Sequence, residues 1–135
     1  MKLEDLAVDA IKAEWLDLEV YADESKRFQN AVADGESISE AFMRFGEEEK
    51  VHLAALQDVF PAAAKKVKAP GARPRHESLR DALKEHIERE LGSVRRYEEM
   101  LTSKLSPLDS LLVKGILSDE KEHLRMLLYY LKSEF

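Results

Sequence analysis

Apolar residues recur at three- and four-residue steps along four stretches of this chain. At the middle of each stripe stands a glutamate, where a leucine would serve a plain core. The first stretch, about Leu3 to Ala33, places Ala7, Ala10, Glu14, Leu18, Tyr21, Ser25 and Phe28 on one face, which predicts a helix. Asp34-Gly35 is expected to close it, since glycine tolerates the left-handed cap conformation. Ser37-Ile38-Ser39-Glu40 has the form of a capping box and opens a second helix with stripe Ile38, Phe42, Phe45, Glu49, His52, Leu56 and Val59, ending at Pro61. A third helix is expected from about Glu77 to Lys104, with Leu79, Leu83, His86 or Ile87, Glu90, Val94, Tyr97 and Leu101 on its stripe. Ser106-Pro107-Leu108-Asp109 supplies an N-cap serine, a first-turn proline and an early acid to a fourth helix running to about Ser133, with stripe Leu112, Ile116, Glu120, His123, Leu127 and Tyr130.

Residues 61–76 read as a linker, because three prolines and a glycine interrupt any continuous helix. It holds Lys65, Lys66, Lys68, Arg73 and Arg75 and no acid, and its plain reading is a solvated connector. About 16 extended residues reach roughly 50 Å, whereas a helix of about 25 residues is roughly 37 Å long. The linker can therefore run the length of a bundle. Two helical hairpins joined by one long crossover, in an antiparallel four-helix bundle, is the ferritin-like connectivity. The 135 residues suffice for one such domain with one core.

Composition narrows the function. Charged residues make up 36% of the chain and apolar residues 44%, which suits strongly amphipathic helices. The net charge of −6 argues against general nucleic-acid binding. The absence of cysteine excludes disulfides, zinc ribbons and iron–sulfur ligation. The N-terminal Met-Lys-Leu-Glu-Asp-Leu does not resemble a signal peptide, and no apolar run approaches the roughly 20 residues needed to span a membrane. The cytoplasm is the expected location.

The two halves of the chain repeat each other. Glu14 is followed at seven residues by Tyr21, and Glu90 at seven by Tyr97. Each half then carries Glu-x-x-His on its second helix, as Glu49/His52 and Glu120/His123. The three-residue spacing puts each carboxylate and imidazole on one helix face, a turn apart. Paired about a pseudo-twofold axis, the halves bring four carboxylates and two imidazoles to one point. A Glu-x-x-His pair alone is weak, because acids are 27 of 135 residues and about one histidine in five has an acid three before it by chance. A salt-bridged or solvated bundle is the bland alternative. Four glutamates centred on apolar stripes fit it poorly, since charges are seldom buried without partners, and bound metal would satisfy them together.

On Glu14 with Tyr21, Glu49 with His52, Glu90 with Tyr97 and Asp119-Glu120 with His123, the chain resembles the ferritin-like di-iron superfamily, and most closely its rubrerythrin-like group. The resemblance covers nearly the whole chain. It implies a dinuclear site bridged by Glu49 and Glu120, with Glu14 and Glu90 as terminal ligands and one metal on each of His52 and His123. It implies two iron ions, with manganese or zinc possible. The expected chemistry is ferroxidase-like oxidation of ferrous iron or reduction of peroxide or oxygen, with a separate, unidentified electron donor. Ferritin-like iron storage or cargo, or a structural metal-binding dimer without turnover, is the alternative. Ser93 stands three residues after Glu90, where peroxidase-type rubrerythrins carry an extra carboxylate, and their cysteine-rich rubredoxin module is missing here.

Around this set, Tyr21 and Tyr97 read first as core tyrosines, with hydrogen bonds to ligand carboxylates as the functional alternative. Asp119 is placed either to orient a ligand histidine or to stay in solvent. His86, a turn before Glu90, is expected as a satisfied or solvent-edge histidine rather than a ligand. Glu48 and Glu122 are expected to point to solvent. Trp15 and the apolar run Met126–Leu131 suggest a buried subunit contact, and a homodimer is the expected assembly.

Overall fold

The computed structural model describes residues 1–71, 73 and 75–134. The elements follow in the order α1 (Leu3–Arg27), β1 (Val32–Ala33), β2 (Glu36–Ser37), α2 (Ile38–Val59), α3 (Pro61–Lys65), α4 (Leu79–Met100) and α5 (Pro107–Glu134). α1 packs mainly on α2 and α4 mainly on α5, so two helical hairpins assemble into an antiparallel four-helix bundle.

The helix starts follow the local chemistry. Ser37 and Ser78 accept hydrogen bonds from the backbone N–H groups of Glu40 and Asp81, and Ser106 does the same for Asp109 ahead of Pro107. α1 carries Glu4 and Asp5 in its first turn and Lys26 and Arg27 in its last, which complements its dipole.

The expected end of the first helix is corrected. α1 stops at Arg27, six residues before Ala33. Asp34-Gly35 does not cap it but forms the tight turn of a small antiparallel hairpin, with Val32 opposite Ser37 and Ala33 opposite Glu36. Both turn residues have positive φ, 53° and 82°, the conformation that two-residue hairpins require and that Asp-Gly adopts readily. The linker is also more structured than expected. Pro61 opens the short α3, and Ala63 and Val67 are buried against the bundle. α4 is shorter than expected at both ends, spanning Leu79–Met100.

The core falls into two apolar layers. One is built around Leu6, Ala10, Ile11, Leu56, Met100 and Val113, and the other around Ile38, Phe42, Phe45, Leu83, Leu127 and Tyr130. Gly46 lets α1 and α2 approach closely: a Cβ there would lie 3.4 Å from Tyr21 Cβ and 3.6 Å from the Leu18 carbonyl oxygen. Outside this contact a groove of about 590 Å³ runs between α1 and α2, lined in part by Trp15, Leu18 and Met43. The Met126–Leu131 run is divided, with Leu127 and Tyr130 inside the bundle and Leu128 and Tyr129 exposed. No described helix is long and apolar enough to cross a membrane.

Candidate metal centre

The four helices deliver six polar side chains to the bundle interior. Glu14 comes from α1, Glu49 and His52 from α2, Glu90 from α4, and Glu120 and His123 from α5, each 3% exposed or less. One donor atom from each of Glu14, Glu49, His52 and Glu120 lies within 4.8 Å of the others, and Glu49, Glu90, Glu120 and His123 form a second such group. Glu49 and Glu120 belong to both. All six residues singled out by the sequence pattern are thus brought together.

Each imidazole turns Nδ1 inward. His52 Nδ1 is 3.1 Å from Glu120 Oε1 and 3.5 Å from Glu14 Oε2, and His123 Nδ1 is 3.2 Å from Glu49 Oε1 and 3.7 Å from Glu90 Oε1. The outward nitrogens meet acids of the other hairpin: His52 Nε2 lies 2.8 Å from Asp119 Oδ2, and His123 Nε2 contacts Glu48 Oε2. Asp119 and Glu48 each sit one residue before a shared glutamate, so the repeat governs these contacts too. A carboxylate on the outer nitrogen fixes ring orientation and raises the basicity of the inner one. This corrects the expectation for Glu48. Its backbone position faces outward, but its side chain reaches across to α5. Glu122 pairs with Arg125 on the exposed face, as expected.

Two phenols complete the arrangement. Tyr21 donates to Glu90 Oε1 at 2.9 Å and Tyr97 to Glu14 Oε1 at 2.6 Å. Both rings are fully buried, so these tyrosines are core residues and partners of the cluster carboxylates at once.

Burial pushes Glu49 and Glu120 up, and the neighbouring Glu14 and Glu90 charges add to it. Burial also works to raise Glu14, but the adjoining Glu49 carboxyl and His52 imidazole prevail and hold its carboxyl at about 2. Glu90 is lowered against burial by Glu120 and His123. Burial opposes charge on His52, yet Glu120 and Glu14 push it up to about 11; His123 is raised in the same way by Glu90 and Glu48. The raised Glu49 and Glu120 thus lie beside the lowered Glu14 and Glu90 and the raised His52 and His123, shifts that work against a build-up of negative charge in the metal-free layer.

Protons and internal contacts do not fill the site. Glu14 Oε2, both oxygens of Glu49, Glu90 Oε2, Glu120 Oε2 and His123 Nδ1 are buried without a hydrogen-bond partner. Each such atom costs about 1–3 kcal/mol. They point at a shared space, and a carboxylate-rich set with imidazole nitrogen suits iron, manganese or zinc. The residues fit two metal ions.

A second buried polar group escaped the sequence reading. Asp17 and Glu24 of α1 are 1% exposed. Arg89 donates to Asp17 Oδ1 at 2.7 Å, to Glu85 Oε1 at 2.9 Å and to His86 Nδ1 at 3.3 Å. His86 Nε2 meets Glu24 Oε1, and its ring stacks on Tyr21 at 4.0 Å and 5°. His86 is therefore a satisfied interior histidine, not a solvent-edge one, and belongs to neither four-residue group. Burial lowers its pKa and raises that of Asp17, where the nearby Glu90 charge adds to the effect. The available signal was positional: Asp17, Tyr21 and Glu24 follow Glu14 at helical steps of three, seven and ten residues.

No curated protein matches the chain. A solved structure from Thermotoga maritima, provisionally assigned as a ferritin-like diiron-carboxylate protein, shares 22% identity with it. That match covers 100% of this chain and 97% of the other with a TM-score of 0.80, which establishes the ferritin-like fold. The rubrerythrin family model matches residues 5–131, and the chain belongs to the rubrerythrin family.

Proposed function

We propose that Glu14, Glu49, His52, Glu90, Glu120 and His123 hold two iron ions, with Glu49 and Glu120 shared between them. At this centre ferrous iron is oxidised by, or supplies electrons to, peroxide or oxygen. The observation that carries this reading is the set of unpartnered buried ligand atoms in two overlapping groups. The fold it shares with a protein provisionally assigned as diiron-carboxylate supports it. When bound, two ferrous ions supply two electrons to an oxidant.

The chain's own residues do the rest. Tyr21 and Tyr97 hold one oxygen of Glu90 and Glu14 and leave the other free to coordinate. Asp119 and Glu48, with side chains 49% and 40% exposed, link the outer imidazole nitrogens to solvent and give protons a route at His52 and His123 Nε2. The apolar layers on either side keep bulk water away, which strengthens every electrostatic contact within. Ser93, buried after Glu90, offers no further carboxylate on α4. A homodimer is the assembly this reading carries, and the groove beside Trp15 offers an apolar face for it.

The test is anaerobic ferrous loading followed by oxygen or peroxide, with iron content and near-ultraviolet absorbance recorded. Two irons per chain and a rapid ferric band are expected, and the faster oxidant names the substrate. Two bound but inert irons would favour the storage or structural reading. Absence of stoichiometric binding would overturn the assignment.

A further inference from the structure

We propose that the basic crossover strap, with the groove it forms against α1, is the docking surface for a small acidic one-electron carrier protein that re-reduces the centre. This rests on the redox reading above. These 135 residues include no cysteine and so hold no cysteine-ligated iron–sulfur group among them; electrons for the centre have to cross their surface.

The strap is suited to that. Residues 61–76 carry five basic side chains and no acid, while the rest of the chain has 16 basic and 27 acidic residues, a net charge of −11. Ala63 and Val67 anchor the strap to the bundle, which leaves Lys65, Lys66 and Lys68 facing outward. Lys66 is neutralised by Glu4 at 2.9 Å. Lys12, Lys65, Lys68, Arg73 and Arg75 have no carboxylate partner among the described residues. A shallow groove of about 450 Å³ lies between strap and helix, lined by Lys12, Leu16, Lys66, Lys68, Pro70 and Gly71. It offers an apolar floor with a cationic rim.

Position favours electron delivery. Lys12 and Leu16 lie two residues either side of Glu14 on α1. A helix with its side chains is about 10–12 Å across, so a carrier seated here stands one helix thickness from the cluster. Each encounter oxidises one carrier and passes one electron to the centre, and two encounters restore the pair. An acidic body around this basic strap admits a compact acidic protein and repels an extended polyanion such as nucleic acid.

The test compares the wild type with a Lys12→Glu/Lys68→Glu/Arg75→Glu variant, both iron-loaded and oxidised. Reductants are a reduced plant-type [2Fe–2S] ferredoxin, as an acidic carrier, and reduced methyl viologen. At about 20 mM salt, where screening is weak, the variant's ferredoxin rate constant is expected to fall at least about tenfold. Iron content and the viologen rate should hold. An unchanged ferredoxin rate, or an equal fall for both reductants, overturns the proposal. If viologen cannot reduce the loaded wild type, the redox reading itself fails. Amide shifts in the metal-free protein then decide docking: changes at Lys12, Leu16, Lys68 and Gly71 on adding ferredoxin support it, and their absence overturns it. Equal shifts from a DNA oligomer overturn the partner class.

Discussion

The glutamates of the cluster are chemically alike but not equivalent. Glu49 and Glu120 belong to both four-residue groups, whereas Glu14 and Glu90 each belong to one. Glu49→Ala or Glu120→Ala is therefore expected to abolish stoichiometric binding of both metals. Glu14→Ala or Glu90→Ala should leave about one metal per chain, at more than about tenfold weaker affinity. Elemental analysis after desalting distinguishes these outcomes, and one retained metal in the Glu49 variant would refute the shared role. Protonation gives a second test. His52 is raised from 6.5 to about 11, so its contribution to the metal-free fold is complete below 6.5 and lost as pH rises through 11. Glu49 and Glu120, also raised, work in the same direction once pH passes their ordinary value. Glu14 is lowered to about 2, so its contribution is present above 4.5 and disappears only as pH falls toward 2. The melting temperature of the metal-free protein is thus expected to fall as pH rises above 6.5. Metal affinity should rise over the same range, because the ligands must release protons to coordinate. Calorimetry in chelator across this range checks the first, and His52→Gln should flatten the slope.

At the scale of the helices, the pseudo-symmetry is informative where it breaks. Aligning Glu14 with Glu90 places Asp17 opposite Ser93, Glu24 opposite Met100, His86 opposite Ala10 and Arg89 opposite Ala13. One side of the α1–α4 contact is therefore a buried polar network, and its counterpart is small or apolar. Arg89→Met is expected to destabilise the fold by about 1–3 kcal/mol, since it strands Asp17 in the interior. Adding Asp17→Ser, the residue found across the axis, should recover most of the loss; chemical denaturation of the four-member cycle measures it. A double variant no more stable than Arg89→Met would show that the two side chains act separately. This network also marks where sequence reading reached its end. Glu-x-x-His spacing, capping serines and the repeat made the four helices and all six cluster residues legible. Asp17 and Glu24 were not, because acids on a helix are expected on its wet side, and only packing shows that α1 buries this face. Asp34-Gly35 suits a helix cap and a hairpin turn equally, so the end of α1 depended on tertiary contacts. Glu48 faces away by helical angle, and only side-chain reach brings it to His123.

At the scale of the whole molecule, the centre joins two units that otherwise pack mainly within themselves. The first group takes Glu14, Glu49 and His52 from the α1–α2 hairpin and Glu120 from the other; the second takes Glu90, Glu120 and His123 from the α4–α5 hairpin and Glu49 from the first. Each metal would therefore bind across the hairpin boundary, at the height where the two apolar layers are interrupted. Removing metal should weaken that boundary more than either hairpin. With free metal at about 100 times its dissociation constant, each site contributes about 2.7 kcal/mol. Two sites should then raise the melting temperature by at least about 10 °C over the chelated protein. Hydrogen exchange locates the effect. Chelation is expected to speed exchange first in the central turns around Glu14, Glu49, Glu90 and Glu120, while the helix turns nearest the two apolar layers stay protected. A uniform loss of protection over the whole chain would mean that metal stabilises one indivisible bundle, and that the hairpin boundary has no separate weakness for it to staple.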